Sequence, residues 1–133
     1  MLGAVVRLHS ATLSAVMGRD GVLSARISGV LTAEMMDRFA ADCCERYGAH
    51  AHGFVVDYRS CVLAAKAADL LKALRLLPAR SPMYVPGAFV CTPPTAPLLM
   101  QHAQASARAG ARRRVFYDPA VARLWVLARS AAK

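Results

Sequence analysis

The side chains able to do chemistry are few, and one stretch gathers several of them. Asp57-Tyr58-Arg59-Ser60-Cys61 sets a carboxylate, a guanidinium, a hydroxyl and a thiol within five consecutive residues. The stretch follows the apolar run Gly53-Phe54-Val55-Val56, which has the character of a strand buried on both faces, hence a parallel one. Ligands in open α/β sheets bind at the carboxyl ends of such strands. In that setting Asp57 accepts hydrogen bonds, Arg59 holds an anion, Ser60 adds a hydroxyl, and Thr92 donates from the neighbouring strand end. The structural alternative is that Asp57 ties down nearby amides and Arg59 is solvated.

A second group is cationic. Arg108 and the run Arg112-Arg113-Arg114 would neutralise phosphates, with binding that falls as salt rises. Surfaces for nucleic acid usually add stacking aromatics or a recognition helix, and Tyr117 is thin support for either. The run also suits a charged loop before an edge strand, where it discourages edge pairing. Nucleic acid therefore ranks behind a protein partner.

Metal and nucleophile chemistry are poorly supported. His50-x-His52 has two close imidazoles, but no second ligand pair stands at metal-binding spacing, and the four cysteines form no CxxC pair. Cys61 and Cys91 would need a base or a strongly positive setting to act as thiolates. No Gly-x-Ser/Cys-x-Gly elbow exists, and the carboxylates are mostly spaced as surface ion pairs. The reading is no catalytic residue, no metal and no cofactor.

A chain of 133 residues, 56% hydrophobic and 19% charged, suits one packed domain over 1–133 and excludes a disordered polymer. The net charge of +9 is one-sided: residues 1–69 carry seven charges of each sign, and residues 70–133 carry ten basic and one acidic, Asp118. Such a half attracts acidic partners, or simply keeps the protein in solution. Residues 81–107 lack charge but hold five prolines, which would break a spanning helix, so no transmembrane segment is expected. Nothing near Arg7 and His9 reads as a secretory signal; a cytoplasmic location with reduced thiols follows. The excess of alanine and arginine suggests a GC-rich bacterial coding sequence.

The elements that position these groups are legible from periodicity. Residues 11–17 and 22–28 alternate around Gly18-Arg19-Asp20-Gly21 and predict a β-hairpin. Thr32 caps a helix whose stripe is Met36, Phe39, Ala40, Cys43 and Tyr47, with Gly48 as its stop. A strand at 53–57 follows, then a helix with the stripe Leu70, Leu71, Leu74 and Leu77, ended by Pro78. Gly87 to Cys91 is the next strand, 95–109 a third helix, and Arg114 to Tyr117 the last strand. Asp118-Pro119 starts a final helix with the stripe Val121, Leu124, Trp125 and Ala128. The apolar residues Met83 to Pro86, Leu98 to Met100, Val126 and Leu127 suit core packing, a lipid-like pocket or a dimer interface. The order β-β-α-β-α-β-α-β-α predicts an α/β layered domain with about four helices, its mixed sheet parallel in the centre and antiparallel at the hairpin.

Three patterns resemble the SpoIIAA-like fold group, the bacterial STAS/SEC14-type small domain proteins. They are Arg26 to Thr32 with its Gly-x-Leu-Thr junction into a helix, Phe54 to Asp57, and Arg114-Val115-Phe116-Tyr117-Asp118 followed by Ala122 and Leu124-Trp125. The resemblance spans about residues 11–128 and rests on structural motifs, which identify a fold more readily than an activity. It implies a SpoIIAA-like domain. Antagonists of anti-sigma factors with this fold carry a phosphorylatable serine in a turn some eight to ten residues past the strand-ending Asp. Here Ala65, Lys66 and Ala67 stand at that distance, and Ser60 lies in another context. The resemblance therefore implies no phospho-switch.

The expectation is a non-enzymatic interaction or regulatory module working through protein–protein contacts with a partner the sequence does not name, a homodimer included. A module for a small apolar or lipid-like ligand is the alternative, as the SEC14 side implies. Weak binding of an anionic polymer through Arg108 and Arg112-Arg114 is the second alternative.

Overall fold

A computed structural model describes residues 2–8, 11–48, 50–64, 66, 69, 85–108, 110 and 112–131. Among these residues six strands form one sheet in chain order, β1 (Leu2–Leu8), β2 (Ala11–Met17), β3 (Val22–Thr32), β4 (Gly53–Ala64), β5 (Gly87–Val90) and β6 (Arg113–Phe116). The pairs β1–β2 and β2–β3 are antiparallel, and β3 to β6 run parallel. The α/β class and the mixed sheet are as expected from the sequence. The strand β1 was not expected; it pairs from Leu2 with Met17 to Leu8 with Ala11, so it is defined by the edge that β2 offers.

Among the described residues there are three helices, α1 (Ala33–Tyr47), α2 (Ala96–Arg108) and α3 (Pro119–Ala131). The fourth expected helix, with Leu70 to Leu77, lies outside the described residues. Local chemistry sets the ends. The Met35 N–H donates to the Thr32 hydroxyl at 3.3 Å, and the Ala120 N–H donates to the Asp118 carboxylate at 2.8 Å. The β2–β3 turn closes through Gly18 N–H to Val22 C=O, with Gly21 at φ 81°, where a side chain would be strained.

Each face of the sheet buries its own cluster. On one face Leu13, Ala15, Leu23, Ile27, Phe54, Tyr58 and Phe89 meet Met35, Met36 and Phe39 of α1 and Leu99 of α2. On the other, Val22, Val55, Ala88 and Val90 meet Ala122 and Val126 of α3. The close approach of α3 requires Gly53, since a Cβ there would lie 2.5 Å from the Val126 Cγ1.

Two sequence expectations are corrected here. β4 does not stop at Asp57 but continues to Ala64, because β3 runs on to Thr32 and pairs with it on both sides of one irregularity. The stripe expected for α3 is turned: Ala122 and Val126 are fully buried, while Val121 and Leu124 are 50% and 66% exposed. The helix is apolar on both sides, and the position of the sheet decides which side is covered.

Candidate functional site

The stretch from Asp57 to Cys61 is therefore the middle of β4. Between the Arg26–Asp57 and Ser28–Ser60 pairs β4 carries one residue more than β3, a β-bulge. The extra residue inverts the alternation. Before it, Val56 and Tyr58 face α1; after it, Cys61 and Leu63 do so. Asp57 points to the α3 face, and Arg59 and Ser60 are exposed.

Asp57 spends its acceptors on its neighbour. Its carboxylate takes the Arg59 backbone N–H at 2.9 Å, the Nε at 3.0 and 3.2 Å and an Nη at 2.8 Å. Burial pushes the Asp57 carboxyl up, but the Arg59 hydrogen bonds and the charges of Arg59 and Arg26 outweigh it and hold the group below its usual value. Asp118 at the start of α3 adds its own charge to the field at Arg59. The result is an alternating, self-neutralising line of Arg26, Asp57, Arg59 and Asp118. Thr92 follows β5 at the same end of the sheet and is exposed, its carbonyl accepting from the Thr95 N–H and hydroxyl. What the geometry offers here is a neutral polar surface with Arg59 already engaged by a carboxylate.

The basic run divides. Arg108, Arg112 and Arg114 are exposed, but Arg113 is buried and leaves the surface patch. Alternation along β6 sends Arg113 to the α1 and α2 face with Val115. There an Nη donates to the carbonyls of Val85 at 2.7 Å and Arg112 at 2.8 Å, and the guanidinium lies over the Phe54 ring. Desolvation pulls it down to about 10. On the α3 face, Arg114 lies over Phe116 at 5.4 Å and Arg129 over Trp125 at 5.3 Å, and the two rings are 5.7 Å apart. Sequence reasoning missed this rim, because Trp125 and Phe116 meet only when α3 docks on the sheet.

Three of the thiols are held protonated. Burial pushes Cys43 up to about 12 and Cys61 up to about 11, and it also raises Cys91. The Cys61 thiol donates to the Tyr58 carbonyl at 3.2 Å. Among the described residues no three His, Cys, Asp or Glu side chains are grouped to hold a metal ion. His52 is committed through its backbone: its N–H donates to Gly21 and its carbonyl accepts from the Ser130 hydroxyl. Of the apolar group, Leu99 is core, Met100 is 49% exposed, and Met83 and Tyr84 lie outside the described residues. No helix among the described residues is long and apolar enough to cross a membrane.

The β2–β3 hairpin also keeps the solvated face that its alternation predicts. Opposite α1, the strands β1 to β3 and the second half of β4 carry no helix among the described residues. Val5, Val16, Val30 and Val62 are exposed there, at 67%, 40%, 43% and 65%. Ser14, Ser24 and Arg26 lie between them, also exposed, as the strand registers place them. No protein-family model matches the chain, and no curated protein matches it.

Proposed function

We propose that this chain is a non-enzymatic interaction module with a SpoIIAA-like, STAS/SEC14-type domain, acting through protein–protein contacts. The observation that carries this reading is the half-covered sheet face. α3 shields the side formed by Val22, Val55, Ala88 and Val90, and four valines of the adjoining strands stay open beside it. Scattered exposed apolar residues are ordinary, but two neighbouring pairs of them on one flat face, Val5 with Val16 and Val30 with Val62, favour a contact site. The serines among them leave room for a partner's side chains. The engaged Asp57 and the protonated thiols favour contact over catalysis.

A photo-crosslinking amino acid tests this reading in cells, placed at Val30 on the open face and at Arg38 on the exposed side of α1. Adducts to protein from position 30 and not from position 38 are expected. A chain that crosslinks to no protein at position 30, and that retains a small molecule in native mass spectrometry, would replace this reading with the apolar-ligand alternative.

A further inference from the structure

We propose that the outer side of α3 lies on an anionic lipid surface, with its apolar stripe in the headgroup boundary and the arginines beside it on the lipid phosphates. The stripe is Val121, Leu124, Trp125 and Ala128, spaced i, i+3, i+4 and i+7, so the four form one row along the helix. Val121 and Leu124 are 50% and 66% exposed, Ala128 is exposed, and Trp125 is half-buried. Ala122 and Val126 fill the opposite side against the sheet, so α3 does not need this stripe for its own packing. It is a different surface from the open sheet face bearing Val30.

No charge falls within the stripe, and cations border it. On the β3 side, Arg123 pairs with Asp20 and donates to the Ser24 hydroxyl. On the β6 side, Arg129 lies over the Trp125 ring and Arg114 over the Phe116 ring, and the two rings are in contact. Arg112, also exposed, stands just before β6. The β6 side has a surplus of positive charge. Among the described residues Arg112, Arg114 and Arg129 make no ion pair. The one carboxylate after residue 69 is Asp118, which caps α3 and acts on Arg59.

An uncharged apolar row bordered by guanidiniums, with a tryptophan at its margin, suits a helix lying in a membrane interface. The indole is apolar in its body and polar at its N–H, which fits the headgroup level. Arginine stems run along apolar surface and keep their charge at the phosphates. Each uncompensated cation strengthens attachment to anionic lipid by about five-fold, a factor that neutral lipid does not supply. Nucleic acid would use the same arginines and the Phe116–Trp125 pair, but would leave Val121 and Leu124 in water. A lipid surface uses both sets of residues. The helix lies along that surface; no helix among the described residues is long and apolar enough to cross it.

The test is cosedimentation of the full chain with vesicles of phosphatidylcholine alone and of phosphatidylcholine mixed equally with phosphatidylglycerol. Trp125 is the one tryptophan of the chain, so its fluorescence reports this site. The mixed vesicles should bind the protein and shift Trp125 emission to the blue, and added salt should weaken the binding. Phosphatidylcholine alone should bind far less. Leu124→Glu should weaken binding by about tenfold or more. Arg114→Ala combined with Arg129→Ala should weaken it by about 30-fold. Met100→Glu makes the same charge change on the exposed side of α2 and should alter it by no more than about two-fold. These side chains are exposed, so the variants should keep the wild-type circular dichroism. No binding to the mixed vesicles, binding with Trp125 emission unchanged, or equal losses for Met100→Glu and Leu124→Glu would each overturn the proposal. Quenching of Trp125 by single-stranded oligothymidylate, without vesicle binding, would overturn it in favour of nucleic acid. Crosslinking from position 30 is read on another surface, so its result is separate from all of these.

Discussion

The guanidinium carbon of Arg113 lies 4.5 Å from the centroid of the Phe54 ring, beneath the helices and away from the other arginines of its run. A cation in that position is held by the ring face and by two backbone carbonyls. Arg113→Met keeps the stem but takes the donor from the Val85 carbonyl, while the Arg112 carbonyl keeps the Gly87 N–H, and should cost about 1–3 kcal/mol in urea unfolding. Arg112→Ala and Arg114→Ala should each change stability by no more than about 0.5 kcal/mol. Equal effects for all three would show that Arg113 is a surface residue.

Gly53 sets how closely α3 approaches the sheet. A methyl group there would meet the Val126 Cγ1 at 2.5 Å, the Ser130 Oγ at 2.9 Å and the Pro86 carbonyl at 3.1 Å. Gly53→Ala should therefore cost about 1–3 kcal/mol by overpacking. In the Val126→Ala background the added cost should shrink, because the clashing methyl is gone. Additive effects in thermal unfolding would contradict this contact.

His102 makes stability fall in acid. Burial, followed by the charge of Arg113, pushes its imidazole down from 6.5 to about 4, and its Nδ1 is buried. Between those values the unfolded chain takes up a proton that the folded chain refuses. Stability should fall as pH drops through that window and level off below it, by roughly 3 kcal/mol at most. His102→Leu should flatten this part of the profile in chemical denaturation at stepped pH. An unchanged slope would place the titration elsewhere.

Cys61 should be slow to alkylate. With its thiol pushed up to about 11 from 9.0, its thiolate fraction near neutral pH is about 100-fold below that of an unperturbed cysteine. Iodoacetamide labelling followed by peptide mass spectrometry should show Cys61 and Cys43 protected in the folded chain and equal to the others in denaturant. Rapid native labelling of Cys61 would reopen thiol chemistry at the β4 bulge.

What the sequence determined by itself was local chemistry. The Thr32 and Asp118 caps, the Gly18–Gly21 turn and the alternation of β2 and β3 depend on neighbours a few residues away, and each appears in the structure where its residues stand. What the tertiary structure decided was every choice between two locally equal options. β1 alternates Leu2, Ala4, Val6 and Leu8 with Gly3, Val5 and Arg7, and its place at the sheet edge is set by pairing with β2. β4 runs past Asp57 because β3 supplies partners as far as Thr32, and its bulge sends Cys61 inward. Arg113 looks the same as Arg112 and Arg114 in sequence, and only its strand parity places it inside. On α3 both sides are apolar, so periodicity alone could not choose between Val121–Leu124 and Ala122–Val126. The sheet chose the second pair, through the space that Gly53 leaves, and so left the first pair exposed.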